Sequence, residues 1–229
     1  MKGIDVSTLQ GNIDWTKVSA DFAMIKATQG RGEGAATRLL SRFTDSKFKR
    51  NIVDCRCPAG VYHYFTAQDK AKATDEADYF CSIIEPYRDR IQLWAALDVE
   101  SFYLDGLGKT ELTAIVRTAL ERIESRGFKP MLYTNPNFLK YRFEPGAFND
   151  TDIWLAHWGV SKPYFAPNLM IRQDSTGNIY SEAVDPVDSG RTYTETDTPI
   201  EQTEDDRVAQ LEEDSKVLKI LLGKEEETK

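Results

Sequence analysis

The stretch Leu93-Trp94-Ala95-Ala96-Leu97-Asp98-Val99-Glu100 decides the fold. An uncharged, mostly apolar run leads straight into two carboxylates separated by a single valine. Such a short, near-continuous apolar run is the pattern of a strand buried on both faces, as in a parallel sheet wrapped by helices. Side chains alternate along a strand, so Asp98 and Glu100 share one face and Val99 points to the other. Their backbone positions lie ~6.5–7 Å apart, two strand steps. Paired acids at the end of a buried strand are costly unless something uses or pairs them. Acid–base chemistry on a sugar linkage needs such a pair, with one carboxyl protonated and the other ionised. A strand end emerging into water, where both acids are solvated, is the plainer alternative.

Working outward, Ile4–Ser7, Phe22–Thr28 and Gly60–Phe65 read as strands before this one, and Met131–Thr134 as the strand after it. Helical spacing runs over Arg38–Val53 and over Ala71–Tyr87, where Pro86 marks the end. A third helix runs over Thr110–Arg126, with Thr110 as its cap and Gly127 as its stop. A short helical turn begins at Pro136. The rhythm then changes: Asp152–Trp158, Asn168–Gln173 and Ile179–Asp185 read as strands joined by segments too short for full helices. Alternating strands and helices imply an α/β fold with a parallel sheet, and about eight strands imply closure into a TIM-like barrel.

A chain of 229 residues with 41% hydrophobic and 11% aromatic content fits one large domain with a sizeable core. The formal net charge of −8 argues against nucleic acid as a partner. No apolar run is long enough to insert into a membrane. Met1-Lys2 leads directly into the first strand without a signal peptide, so synthesis in the cytoplasm is expected. Cys55, Cys57 and Cys81 have no metal-site spacing, and reduced thiols are expected. The loop Gln29-Gly30-Arg31-Gly32-Glu33-Gly34 lacks the lysine–serine ending of a phosphate loop and reads as a turn. From Thr194 the composition becomes rich in Thr, Glu and Asp. Val208, Leu211, Ser215, Leu218 and Leu222 then follow steps of three and four, which is either a short heptad seam or a frayed acidic tail.

Reactive groups in a parallel barrel gather at the carboxyl ends of the strands. That rule collects Asp5, Asp98, Glu100 and Asp185, with Asp188 just beyond. Tyr62 or Tyr64, Phe102, Tyr133, Trp154 and Trp158 gather at the same rim. Carboxylates ringed by aromatics suit a carbohydrate, whose ring faces stack while its hydroxyls take hydrogen bonds. Lys26 points into the barrel and needs a carboxylate, with Asp5 the candidate. His63 reads as a hydrogen-bonded structural residue. Asn135 either donates to substrate or caps the following turn. No histidine pair is spaced for zinc, and no metal or organic cofactor is implied.

Taken in order, Gly3-Ile4-Asp5-Val6-Ser7, Ile13-Asp14-Trp15, Phe22–Thr28, Gly60-Val61-Tyr62-His63-Tyr64, Leu97–Glu100, Tyr133-Thr134-Asn135 and Trp154-Leu155-Ala156 resemble glycoside hydrolase family 25, the Chalaropsis-type lysozymes found in many phage endolysins. The resemblance spans residues 1–191 and leaves 192–229 as an acidic tail with a short amphipathic helix. It implies a (β/α)5(β)3 barrel that hydrolyses the β-1,4 bond between N-acetylmuramic acid and N-acetylglucosamine in bacterial peptidoglycan. Glu100 matches the family's general acid, and Asp5, Asp98 and Asp185 match its other active-site carboxylates. Tyr62, Tyr64, Tyr133, Asn135, Trp154 and Trp158 are the expected substrate contacts. Two departures stand out: Val184-Asp185-Pro186-Val187 replaces Val-Asp-x-Asn, and Arg172 takes the place of a tryptophan, bringing the seventh-strand wall into question. A catalytically inactive carbohydrate-binding barrel, and an assembly module weakly oligomerised by its tail helix, are the alternatives.

Overall fold

Every strand of a closed sheet has two faces to cover, and the alternation along each strand shows how this chain covers them. In the computed structural model, which describes residues 1–30, 42–158, 166, 168–175 and 178–181, one sheet contains nine strands. These are β1 (Lys2–Val6), β2 (Phe22–Gln29), β3 (Phe43–Thr44), β4 (Ala59–Tyr64), β5 (Ile91–Asp98), β6 (Pro130–Thr134), β7 (Ile153–Ala156), β8 (Leu169–Ser175) and β9 (Asn178–Ser181). The helices are α1 (Phe48–Asp54), α2 (Lys70–Ile84) and α3 (Lys109–Ser125). Pairing runs from β1 through β9, β8, β7, β6, β5 and β4 to β2, and β1 also pairs with β2, so eight strands close a barrel. The short β3 adds to β2 from outside the ring.

From β1 to β8 the barrel neighbours are parallel. The closing strand β9 is antiparallel to both β8 and β1, unlike the parallel closure expected from the strand–helix alternation. Two residues separate β8 from β9, and so short a connection can only join antiparallel strands.

Phe22, Met24, Trp94, Ala96, Met131, Tyr133, Trp154 and Ile171 fill the barrel interior. Their sequence neighbours Ala23, Ile25, Ala95, Leu97, Leu132 and Leu155 belong to the layer under the helices. Burying a large apolar side chain is worth roughly 1.5–3 kcal/mol, so this filling is a main stabilising term. Two glycines make room for it. A Cβ on Gly3 would lie 2.5 Å from the Phe22 ring, and one on Gly60 would lie 2.5 Å from Met24 Sδ and 2.9 Å from the Trp94 carbonyl oxygen.

The outer layer follows the predicted spacing in α2 and α3. Ala73, Ala77, Phe80 and Ile84 are buried on α2, and Leu112, Ile115, Val116, Ala119 and Ile123 on α3. Asp69 caps α2 by accepting the Lys72 N–H at 2.8 Å. The N-cap of α3 is Gly108 rather than Thr110, whose hydroxyl donates to Glu144 instead. Gly127, at φ +77°, provides the left-handed turn that ends α3. The helix expected over Arg38–Val53 is shorter. Residues 31–41 lie outside the described part, Phe43–Thr44 pairs with β2, and only Phe48–Asp54 is helical. The predicted extension of the eighth strand to Asp185 and the tail helix also lie outside the described residues. Among the described residues no helix is long and apolar enough to cross a membrane.

Candidate active site

The opening stretch becomes β5, which ends at Asp98 rather than at Glu100. One further rung holds the exit: the Val99 N–H donates to the Tyr133 carbonyl at 2.9 Å, and the Thr134 hydroxyl donates to the Val99 carbonyl at 2.8 Å. Val99 is fully buried in the outer layer. Alternation therefore leaves Asp98 and Glu100 on the inner side. Asp98 is 7% exposed and Glu100 half-buried.

Register sets the surroundings. Asp98 lies beside Tyr64 on β4 and Tyr133 on β6, while Tyr62 lies beside Lys26 on β2. Asp5, on β1, lies beside Met24. Burial, joined by the charges of Asp5, Asp98, Asp45 and Glu100, holds the Tyr62 hydroxyl well above its ordinary value. That phenol stays protonated and can donate. Burial draws the Lys26 ammonium down, while the carboxylates of Asp98, Asp45 and Glu100 oppose the shift. The expected Lys26–Asp5 pairing is thus replaced: Lys26 donates to Gln29 Oε1 at 3.1 Å, and its Nζ sits 5.2 Å from the centre of the Tyr64 ring. One tyrosine and one lysine therefore feel both acids of the opening motif, which brings Asp98 and Glu100 to one mouth.

The aromatics converge there as well. The Trp154 ring stands edge-on to Tyr133 at 4.6 Å and to Tyr62 at 5.9 Å. Trp154 Nε1, Trp158 Nε1 and Gln173 Oε1 are buried and make no hydrogen bond among the described residues. An unmade bond on a buried polar atom costs about 1–3 kcal/mol, which a ligand's hydroxyl and amide groups can recover. Asn135 is committed locally, its Oδ1 accepting the Phe138 N–H at 3.1 Å and capping the turn. The pleat of β8 sets Arg172 on the face opposite Ile171 and Gln173, so the inner wall on this strand is Ile171 and Gln173. The doubt raised by Arg172 thus concerns the other face. Asp185 and Asp188 lie outside the described residues.

Behind this wall, His63 points out toward α2 and is structural. Its Nε2–H donates to Glu76 Oε2 at 3.0 Å, and its Nδ1 lies 2.7 Å from the Thr28 hydroxyl. Glu76 also accepts the Thr66 N–H at 3.0 Å and the Thr66 hydroxyl at 2.8 Å. Because an ionised carboxylate only accepts, the imidazole carries its proton on Nε2. The network ties the ends of β2 and β4, which carry Lys26, Tyr62 and Tyr64, to α2.

Asp45 and Gln173 were not singled out from the sequence. Asp45, 2% exposed, accepts the N–H groups of Thr8 and Lys47, each at 2.8 Å, and pins the loop after β1 beside the mouth. Alternation with Ile171 was the available signal for Gln173. Asp45 lies in the polar run Thr44-Asp45-Ser46, which carries no periodic signal.

Residues 4–175 match the family described as Glycosyl hydrolases family 25. Lysozyme M1 of Streptomyces globisporus is 30% identical over 179 residues, covering 71% of this chain and 56% of that protein. The autolytic lysozyme of Clostridium acetobutylicum is 30% identical over 169 residues, covering 71% of this chain and 47% of that protein. The chain thus spans about half the length of these curated relatives. The crystal structure of a lysozyme from Streptomyces coelicolor superposes with a TM-score of 0.59 at 25% identity, over 79% of this chain and 88% of that one. With the family match running from β1 into β8 and the acid pair seated at the end of β5, the chain belongs to glycosyl hydrolases family 25.

Proposed function

We propose that the chain is an N-acetylmuramidase that hydrolyses the β-1,4 bond between N-acetylmuramic acid and N-acetylglucosamine in bacterial peptidoglycan. The observation that carries this reading is the acid pair at the end of β5, Asp98 and Glu100 on the inner side of the barrel beside Tyr64 and Tyr133. The names of the lysozyme relatives support the substrate. Glu100 protonates the leaving glycosidic oxygen and then, deprotonated, activates water. Asp98 remains ionised and either balances the oxocarbenium-like charge or orients the substrate's N-acetyl group for attack. Asp5 and Asp185 complete the carboxylate set. Tyr62, Tyr64, Tyr133, Trp154 and Trp158 stack on sugar faces or donate to hydroxyls, and the free side of Asn135 reaches substrate. The proposed setting is lysis by a bacteriophage, supported by the sequence resemblance to endolysins.

Mass spectrometry of fragments released from purified peptidoglycan tests the reaction. The reading expects new reducing ends on N-acetylmuramic acid. Reducing ends on N-acetylglucosamine, or no release, overturn it. We further propose that 192–229 is a separate tail, dispensable for hydrolysis of soluble glycans, that alters weak self-association or wall targeting. A chain truncated after Arg191 should retain turnover and sediment as a monomer. An unfolded truncation would contradict that boundary.

A further inference from the structure

At the opposite end of β4 from the acid pair, α1 hands the chain over through Cys55-Arg56-Cys57-Pro58. Cys55 caps the helix in an extended conformation (φ −56°, ψ 132°), and its N–H bonds the Asn51 carbonyl at 2.9 Å. Side chains two apart on an extended segment point the same way, and here the two sulfurs lie 3.6 Å from each other. Both thiols are half-buried against the core, so they are held in place yet reachable, while Arg56 between them is exposed. A disulfide brings the two sulfurs from 3.6 Å to ~2.05 Å.

We propose that Cys55 and Cys57 are a dithiol–disulfide exchange site whose substrates are small disulfides of the glutathione class. Cys55 is the attacking group. When protonated, its thiol donates to the Cys57 carbonyl at 3.4 Å. When ionised, it accepts from the Cys57 thiol and from the backbone N–H groups of Cys57 and Arg56, with Arg90 adding positive charge, and its pKa falls to about 7. The Cys57 thiol is pushed up, chiefly because it donates to Cys55.

In the first step the Cys55 thiolate attacks one sulfur of the small disulfide, the S–S bond breaks, and one small thiolate leaves. Cys55 in the mixed disulfide no longer holds the Cys57 proton. Cys57 then loses that proton to the departed thiolate and attacks Cys55 Sγ. The second small thiolate leaves and takes a proton from water. Two protein thiols are oxidised, one small disulfide is reduced to two thiols, and a Cys55–Cys57 bond results. A ring closed over one intervening residue is strained, and strained disulfides are readily reduced, so the bond is exchangeable. Cys81 is the internal control, fully buried, with burial raising its thiol to about 11.

The test treats the reduced full-length chain with oxidised glutathione and follows intact mass and peptide maps. The wild type should lose the mass of two hydrogens as a Cys55–Cys57 linkage, leaving Cys81 free. Cys57→Ala should instead trap glutathione on Cys55. Alkylation of Cys55 by iodoacetamide should show a midpoint near pH 7 in the wild type and move toward about 8.5 in Cys57→Ala. A wild-type midpoint at or above about 8.5 overturns the proposal, as does a glutathione adduct that persists equally in both proteins.

Discussion

Replacing Glu76 by alanine tests the clamp behind the mouth. Glu76 is 3% exposed and accepts three hydrogen bonds, from His63 Nε2, the Thr66 N–H and the Thr66 hydroxyl. The hydroxyl can turn to another acceptor; the imidazole and backbone N–H groups cannot. Two stranded donors at roughly 1–3 kcal/mol each total about 2–6 kcal/mol. For a domain of this size that lowers the melting temperature by roughly 4–24 °C. Glu76→Gln should behave differently. Its carbonyl oxygen placed at the Oε2 position keeps both obligatory bonds, and its amide donates to the Thr66 hydroxyl, which can accept. The loss is then the charge assistance alone, about 1 kcal/mol and roughly 2–4 °C. Thermal unfolding of the three proteins at neutral pH, followed by circular dichroism, is the assay. Equal losses in the two variants would refute the hydrogen-bond reasoning, because the shape of the side chain rather than its acceptors would then be what matters.

Gly60→Ala should destabilise by about 1–3 kcal/mol, since the added methyl meets Met24 Sδ and the Trp94 carbonyl, and backbone cannot move aside as a side chain can; an unchanged denaturant midpoint would contradict the close packing. Burial lowers Lys26 from its ordinary 10.5, so between its folded value and 10.5 the unfolded chain holds the extra proton and stability rises with pH. Lys26→Met should flatten that rise in urea midpoints taken from about pH 8 to 10, and an unaltered slope would show that Lys26 is not the group responsible. Asp98→Asn should lower turnover about a hundredfold with little change in melting temperature, because a neutral amide no longer balances developing positive charge; near-normal turnover would make Asp98 a structural residue.

The strands that carry the chemistry were readable because burial on both faces leaves an apolar run ending in polar residues, as at Leu93–Glu100 and Phe22–Gln29. The helical spacing read over Arg38–Val53 takes in both Phe43 and Phe48. The spacing fits a helix, but a two-residue strand and Asp45 intervene, and pairing of Phe43 with Gln29 on β2 is a tertiary effect with no local trace. The direction of β9 was also hidden, because it follows from the length of the β8–β9 connection rather than from either strand's pattern. Among site residues, alternation placed Asp98 and Glu100 on one face. It could not reveal that the partner of Lys26 is Gln29, three residues along the same chain, because that contact depends on how β2 bulges after Lys26. Asn135 showed the reverse: the sequence offered both roles, and the turn at Phe138 used its oxygen.

The most direct measurement is the rate at which reducing ends appear from purified peptidoglycan with Glu100→Gln beside the wild type. Glutamine keeps the shape and cannot deliver a proton. A loss of at least about a hundredfold, with an unchanged melting temperature and unchanged binding to the glycan, is the predicted result. A variant that keeps more than about a tenth of the wild-type rate would contradict Glu100 as the proton donor, since removing a general acid costs at least about a hundredfold.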